Sequence, residues 1–181
     1  ENASSQVEAA VRTILHEVKS KGDQALIAAT RTFDRVRLTP ETLHVTAEEL
    51  DQALAALPKP ERTALQSAAT RIRAFHRKQR QSSWQYQDEL GVTLGQKITP
   101  LERVGVYVPG GKAAYPSSVL MNIIPAKVAG VEEVIVVSPP SADGDQYGMQ
   151  PGVLAAARLA GADRVFRVGG AQAVAALAYG T

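Results

Sequence analysis

Val104-Gly105-Val106-Tyr107-Val108-Pro109-Gly110-Gly111-Lys112 is the stretch that decides the fold. A β-branched run stops at a pair of glycines and a small-residue helical pattern follows, the arrangement by which a parallel strand delivers a loop to a helix N-terminus. Val165-Phe166-Arg167-Val168-Gly169-Gly170-Ala171-Gln172 repeats it, and Val134-Ile135-Val136-Val137-Ser138-Pro139-Pro140 varies it with prolines. The strand ends Val108, Ser138 and Val168 stand thirty residues apart each time, the length of a strand, a crossover helix and their loops. These spacings predict an α/β fold with a Rossmann-like parallel sheet, its strands at 103–108, 133–137 and 164–168. Right-handed crossovers would bring all three loops to one edge of that sheet, where open α/β sheets bind their ligands.

Upstream of this unit the periodicity is helical. Val7, Ala10, Val11, Ile14, Leu15 and Val18 recur at helix spacing, and Lys19-Ser20-Lys21-Gly22 reads as a basic last turn with a glycine stop. Asp23 is expected to cap a second helix with Leu26, Ala29 and Phe33 on one side. Thr46-Ala47-Glu48-Glu49 is a capping box for a third, and Pro60 opens a long fourth whose apolar side is Leu65, Ala68, Ile72 and Phe75. The pattern then switches to period two at Trp84–Asp88 and Gly91–Ile98, a β-hairpin with Trp84 and Tyr86 expected to pack on the helices. Pro125 falls inside the helix after the first parallel strand and predicts a kink or a break there. The change near Thr99 divides the chain into a helical segment with a hairpin over 1–98 and an α/β nucleotide-binding-type unit over 99–181, either as two domains or packed as one.

Composition narrows the function classes. The 181 residues carry twenty Lys and Arg against eighteen Asp and Glu, a net charge of +2 that is too balanced for a nucleic-acid binder. The densest basic cluster, Arg71, Arg73, Arg77, Lys78 and Arg80, alternates with the apolar residues of the fourth helix and reads as a solvated helix face. The absence of cysteine rules out disulfides and Cys-based metal sites, in keeping with a cytoplasmic location. No window approaches the ~20 apolar residues of a membrane span, and Glu1-Asn2-Ala3-Ser4-Ser5 has no signal-peptide character. A first residue other than Met and an end at Tyr179-Gly180-Thr181 lead us to expect a piece of a longer polypeptide.

The motifs that could carry chemistry are few. Gly111 stands where a phosphate-cradling P-loop needs Lys, and Lys112 is followed by Ala113 instead of Ser or Thr; no Gly-x-Gly-x-x-Gly follows any strand. His16, His44 and His76 are isolated, without the helical partner or flanking carboxylate of a metal site. Two Gly-Gly turns remain, where a ligand could approach the backbone near helix-start N–H groups suited to an anion. By spacing alone they fit a nucleotide-type site or plain strand-to-helix turns equally well.

The words themselves are more specific. Val104 to Gly111, Ala114-Tyr115-Pro116-Ser117-Ser118-Val119-Leu120-Met121-Asn122, Pro125-Ala126-Lys127-Val128-Ala129-Gly130, Val136-Val137-Ser138-Pro139-Pro140 and Val168 through Thr181 closely resemble histidinol dehydrogenase. Lys21-Gly22-Asp23 and the Phe75-His76 helix fit as well, so the resemblance covers essentially the whole chain. It implies a homodimeric cytoplasmic enzyme that oxidises L-histidinol through L-histidinal to L-histidine with two NAD and a bound zinc, and no nucleic-acid or membrane partner. By the same resemblance Tyr107 and Gln172 are NAD-contacting positions; the alternative is a strand-end packing residue and a helix first-turn polar. The family's zinc ligands, its Glu-His pair and most histidinol contacts lie C-terminal to the Gly-Gly-Ala-Gln word, so no catalytic or metal residue is assigned here. A catalytically empty nucleotide-binding or assembly module with the same α/β half is the competing reading.

Overall fold

A computed structural model describes residues 2–110, 115–140 and 148–181. The chain opens with α1 (Asn2–Lys21) and α2 (Asp23–Phe33), followed by a single turn α3 (Pro40–Leu43), β1 (His44–Val45) and α4 (Ala47–Ala56). The long α5 (Lys59–Lys78) and the strands β2 (Trp84–Gln87) and β3 (Thr93–Gln96) complete the first half. The second half alternates: β4 (Arg103–Tyr107), α6 (Pro116–Ala129), β5 (Glu133–Ser138), α7 (Pro151–Ala160), β6 (Arg164–Arg167) and α8 (Gly170–Tyr179). The polar loop 141–147 and residues 111–114, with Gly111 and Lys112 of the opening motif, lie outside the described residues.

The three expected strands form one parallel array. Gly105 sits opposite Ile135 and Val136 opposite Val165 in a sheet ordered β1-β6-β5-β4. The two-residue β1 adds antiparallel to β6, His44 opposite Phe166. Because side chains alternate across a strand, Val134, Val136 and Val165 face one way, while Val137 and Phe166 face the other. The first set is buried with Leu50 of α4, Ala69 of α5, Leu120 and Ile124 of α6, and Val153 and Ala157 of α7. The second meets Leu26 of α2, Leu38, Leu43, and Ala173 and Leu177 of α8. Helices of the first half thus share cores with the sheet on both faces.

Several local expectations give way to packing. Pro125 leaves α6 continuous from Pro116 to Ala129. Asp23 makes no cap: Gly22, at φ +56°, occupies that position, and no side chain bonds to the start of α2. The hairpin forms as predicted, with Trp84 opposite Gln96, and its turn is closed by Asp88, whose carboxylate accepts from the Leu90 and Val92 N–H groups at 2.9 Å each. It does not pack on the helices as expected. Both strands are exposed, and Trp84 and Tyr86 stack on each other at 6.3 Å between ring centroids. A cross-strand ladder and one aromatic pair suffice to hold a hairpin's register without burying either face.

Candidate functional site

The C-terminal ends of β4, β5 and β6 meet around Pro139. A Cβ on Gly110 would stand 2.6 Å from the Pro139 carbonyl oxygen, and one on Gly169 would collide with the Pro139 ring and Cα. These glycines therefore permit the loops to approach one another; their first use is loop-on-loop packing, not ligand approach. Gly170 differs. It sits at φ +64° as the first residue of α8, a left-handed conformation that disfavours a side chain whatever the space.

Tyr107 and Gln172, sixty-five residues apart in sequence, converge on Gly170. The Tyr107 hydroxyl accepts a hydrogen bond from the Gly170 N–H at 3.0 Å, spanning from the end of β4 across to the end of β6. Gln172 is buried, at 2% exposure, and its amide folds back over Gly170, so that a Cβ there would meet its Oε1 at 2.5 Å. The phenol of Tyr107 is 40% exposed, so the pair forms a partly open polar corner over the start of α8.

α3 and α4 both carry full capping boxes, Thr39 with Thr42 and Thr46 with Glu49. The helices that begin at the C-terminal edge of the parallel strands have no side-chain cap, as α2 and α5 have none: α6 starts after Tyr115, α7 after Gln150 and α8 after Gly169. Uncapped starts leave N–H groups and the positive end of the helix dipole available to an anion, which is what a dinucleotide's phosphates would use.

Sequence reasoning passed over what holds this corner in place. Arg167, the residue that leads into Val168-Gly169-Gly170, is fully buried. Its guanidinium donates to the Thr42 carbonyl at 3.1 Å, the His44 carbonyl at 2.9 Å and Glu49 Oε1 at 2.6 Å. Glu49 Oε2 meanwhile accepts the Thr46 N–H at 2.7 Å, so one carboxylate closes the α4 cap and neutralises the arginine. The available signal was an arginine inside a β-branched run, a place where a charge is rarely kept without a partner.

His44, at the head of this network, packs edge-on against Phe166 at 5.2 Å. Burial pushes its pKa below the ordinary 6.5, and Arg164 and Arg167 push the same way against Glu49. The unfolded chain therefore takes up this proton more readily than the folded one. The neutral form's contribution to stability is complete above pH 6.5 and is lost as pH falls from there towards the lower folded value. Urea midpoints measured between pH 7.5 and 5.5 are expected to drop, and His44→Gln to flatten that dependence; an unchanged slope in the variant would assign it to another group.

Among the described residues no group of three or more His, Cys, Asp or Glu is placed to hold a metal ion. Their chemistry fits an anionic, hydrogen-bonding ligand and does not fit a resident metal. No helix among them is long and apolar enough to cross a membrane.

The family model for histidinol dehydrogenase matches residues 1–181. The chain belongs to the histidinol dehydrogenase family. It is 58% identical over 97% of its length to the histidinol dehydrogenase of Syntrophotalea carbinolica and 54% identical over 96% to that of Aquifex aeolicus, covering 40% and 39% of those proteins. A crystal structure of histidinol dehydrogenase from Elizabethkingia anophelis superposes with a TM-score of 0.88 at 32% identity, over 97% of this chain and 39% of that one. The chain thus spans about two fifths of the length of the histidinol dehydrogenases it matches, and the mixed α/β architecture with its parallel sheet is theirs.

Proposed function

We propose that this chain builds the NAD platform of a histidinol dehydrogenase, the enzyme that carries L-histidinol through L-histidinal to L-histidine with NAD and zinc, as a cytoplasmic homodimer. The observation that carries the reading is the convergence of Tyr107 and Gln172 on Gly170 at the uncapped start of α8. Bound there, NAD would supply the hydride acceptor. The Gln172 amide offers both a donor and an acceptor, and the Tyr107 hydroxyl can turn from its Gly170 bond towards a ligand; the first-turn N–H groups of α6 and α8 face phosphate charge. Gly110 and Gly169 both pack closely on Pro139, which draws the two outer loops together beside the corner. By the family resemblance, the zinc ligands and the proton-transfer groups belong to parts of the parent protein C-terminal to the Gly-Gly-Ala-Gln word.

Replacing Gln172 with Ala in the full-length enzyme tests this. Losing one buried polar contact to the cofactor, worth ~1–1.5 kcal/mol, is expected to raise the KM for NAD about tenfold, with zinc content unaltered. Loss of zinc with unchanged NAD kinetics would remove the residue from the cofactor site.

A further inference from the structure

At the opposite edge of the sheet the structure separates the basic cluster of α5 into two groups. Since α6 leaves the end of β4 and returns to the start of β5, its last turn lies at the strands' N-terminal edge, far along the helix from the corner just described. There Arg73, Arg77 and Arg80 of α5 and the residues after it line one recess of about 260 Å³ with Lys127 and Val128 of α6. Arg71 and Lys78 are exposed and lie outside it.

Two observations set this recess apart from a solvated helix face. The apolar stripe of α5 that packs against the core, Leu65, Ala69 and Ile72, continues at helical spacing into His76 and the arginines, so cations stand where the stripe predicts further apolar contact with α6. Arg73 is half-buried, and neither it nor Arg77 nor Arg80 has a carboxylate within ion-pair distance among the described residues; Arg71 and Lys78 have none either, but only these three converge on one recess. Lys127 is partly neutralised, bonding Asp163 at 2.5 Å and the Glu132 carbonyl. A second cavity, about 390 Å³, adjoins it through Arg80 and Val128 and is walled by His76, Ile98, Pro100 and Pro125.

We propose that this double recess binds a small organic phosphate, its phosphate groups held by Arg73, Arg77, Arg80 and Lys127 and its apolar or ring portion lying in the adjoining slot. Three guanidiniums without acids repel one another until a multiply charged anion enters, and their planar forks suit phosphate oxygens. The site goes beyond the NAD reading and does not depend on it, because the two lie at opposite edges of one sheet.

Titration of the isotopically labelled chain with inorganic pyrophosphate and with ATP, followed by amide NMR shifts, tests the proposal. Saturable shifts are expected around 73–80 and 124–130, with tighter binding for ATP because it also fills the slot. Arg77→Gln and Arg80→Gln, both at exposed positions, are each expected to weaken binding about tenfold, whereas Arg71→Gln and Lys78→Gln leave it within about twofold. Equal losses in all four variants, or equal affinity for a short DNA duplex with a steep salt dependence, would mean a diffuse basic surface and overturn the site. Shifts confined to Tyr107 and Gly170 would overturn it too, while leaving the proposed NAD corner standing.

Discussion

Glu49→Ala is expected to destabilise the chain by ~3–5 kcal/mol, the cost of leaving a buried cation without its counter-charge. Arg167 is wholly enclosed, and its other two acceptors named above are neutral carbonyls. The same substitution deletes the acceptor for the Thr46 N–H, but cap losses run to about 1 kcal/mol, so Thr46→Ala serves as the yardstick. Urea denaturation of the two variants separates the contributions. Adding Arg167→Met to Glu49→Ala is expected to restore part of the loss, because an apolar group replaces the stranded charge. A Glu49→Ala loss no greater than that of Thr46→Ala would reduce Arg167 to a solvated residue and break the link between the α4 cap and the Gly169-Gly170 turn.

The larger effect is on turnover. The purified 181-residue chain is expected to produce no NADH from histidinol above a blank, with or without added zinc. Hydride transfer requires substrate and cofactor held in near-attack geometry, which lowers a barrier by ~7–11 kcal/mol when orientation is good. On the proposed function the chain supplies only the cofactor side of that geometry, and among the described residues no group of three or more His, Cys, Asp or Glu is placed to hold a metal ion. Activity that survives chelation and scales with chain concentration would place catalytic groups within these residues and refute the division of labour proposed above.

Much of this was readable in the sequence because it rests on strong local signals. The thirty-residue spacing of three β-branched runs fixed the parallel strands, and the Thr46-x-x-Glu49 box marked the start of α4 to the residue. What escaped was set by distant partners. β1 is two residues long, too short for any periodicity, and exists because His44 and Val45 meet β6 about 120 positions later. The outward Trp84-Tyr86 pair shows the converse: an aromatic face implies burial only when some other element covers it. In the candidate site Tyr107 and Gln172 came from resemblance of words; spacing could not have joined them. Arg167 was visible but unread, since its meaning depends on Glu49, an acid already explained by its cap.

The pairing of β1 with β6 also orders events in time. A chain emerging from the ribosome at ~5–20 residues per second needs roughly 6–24 s to travel from Val45 to Val165. Early in that interval, until β4, α6 and β5 have emerged, α4 and α5 hold out the apolar stripe of Leu50, Leu65 and Ala69 with no sheet to cover it. The nascent first half thus exposes an amphipathic face until its sequence-distant partners arrive, and transiently exposed apolar surface of that kind is what chaperones recognise.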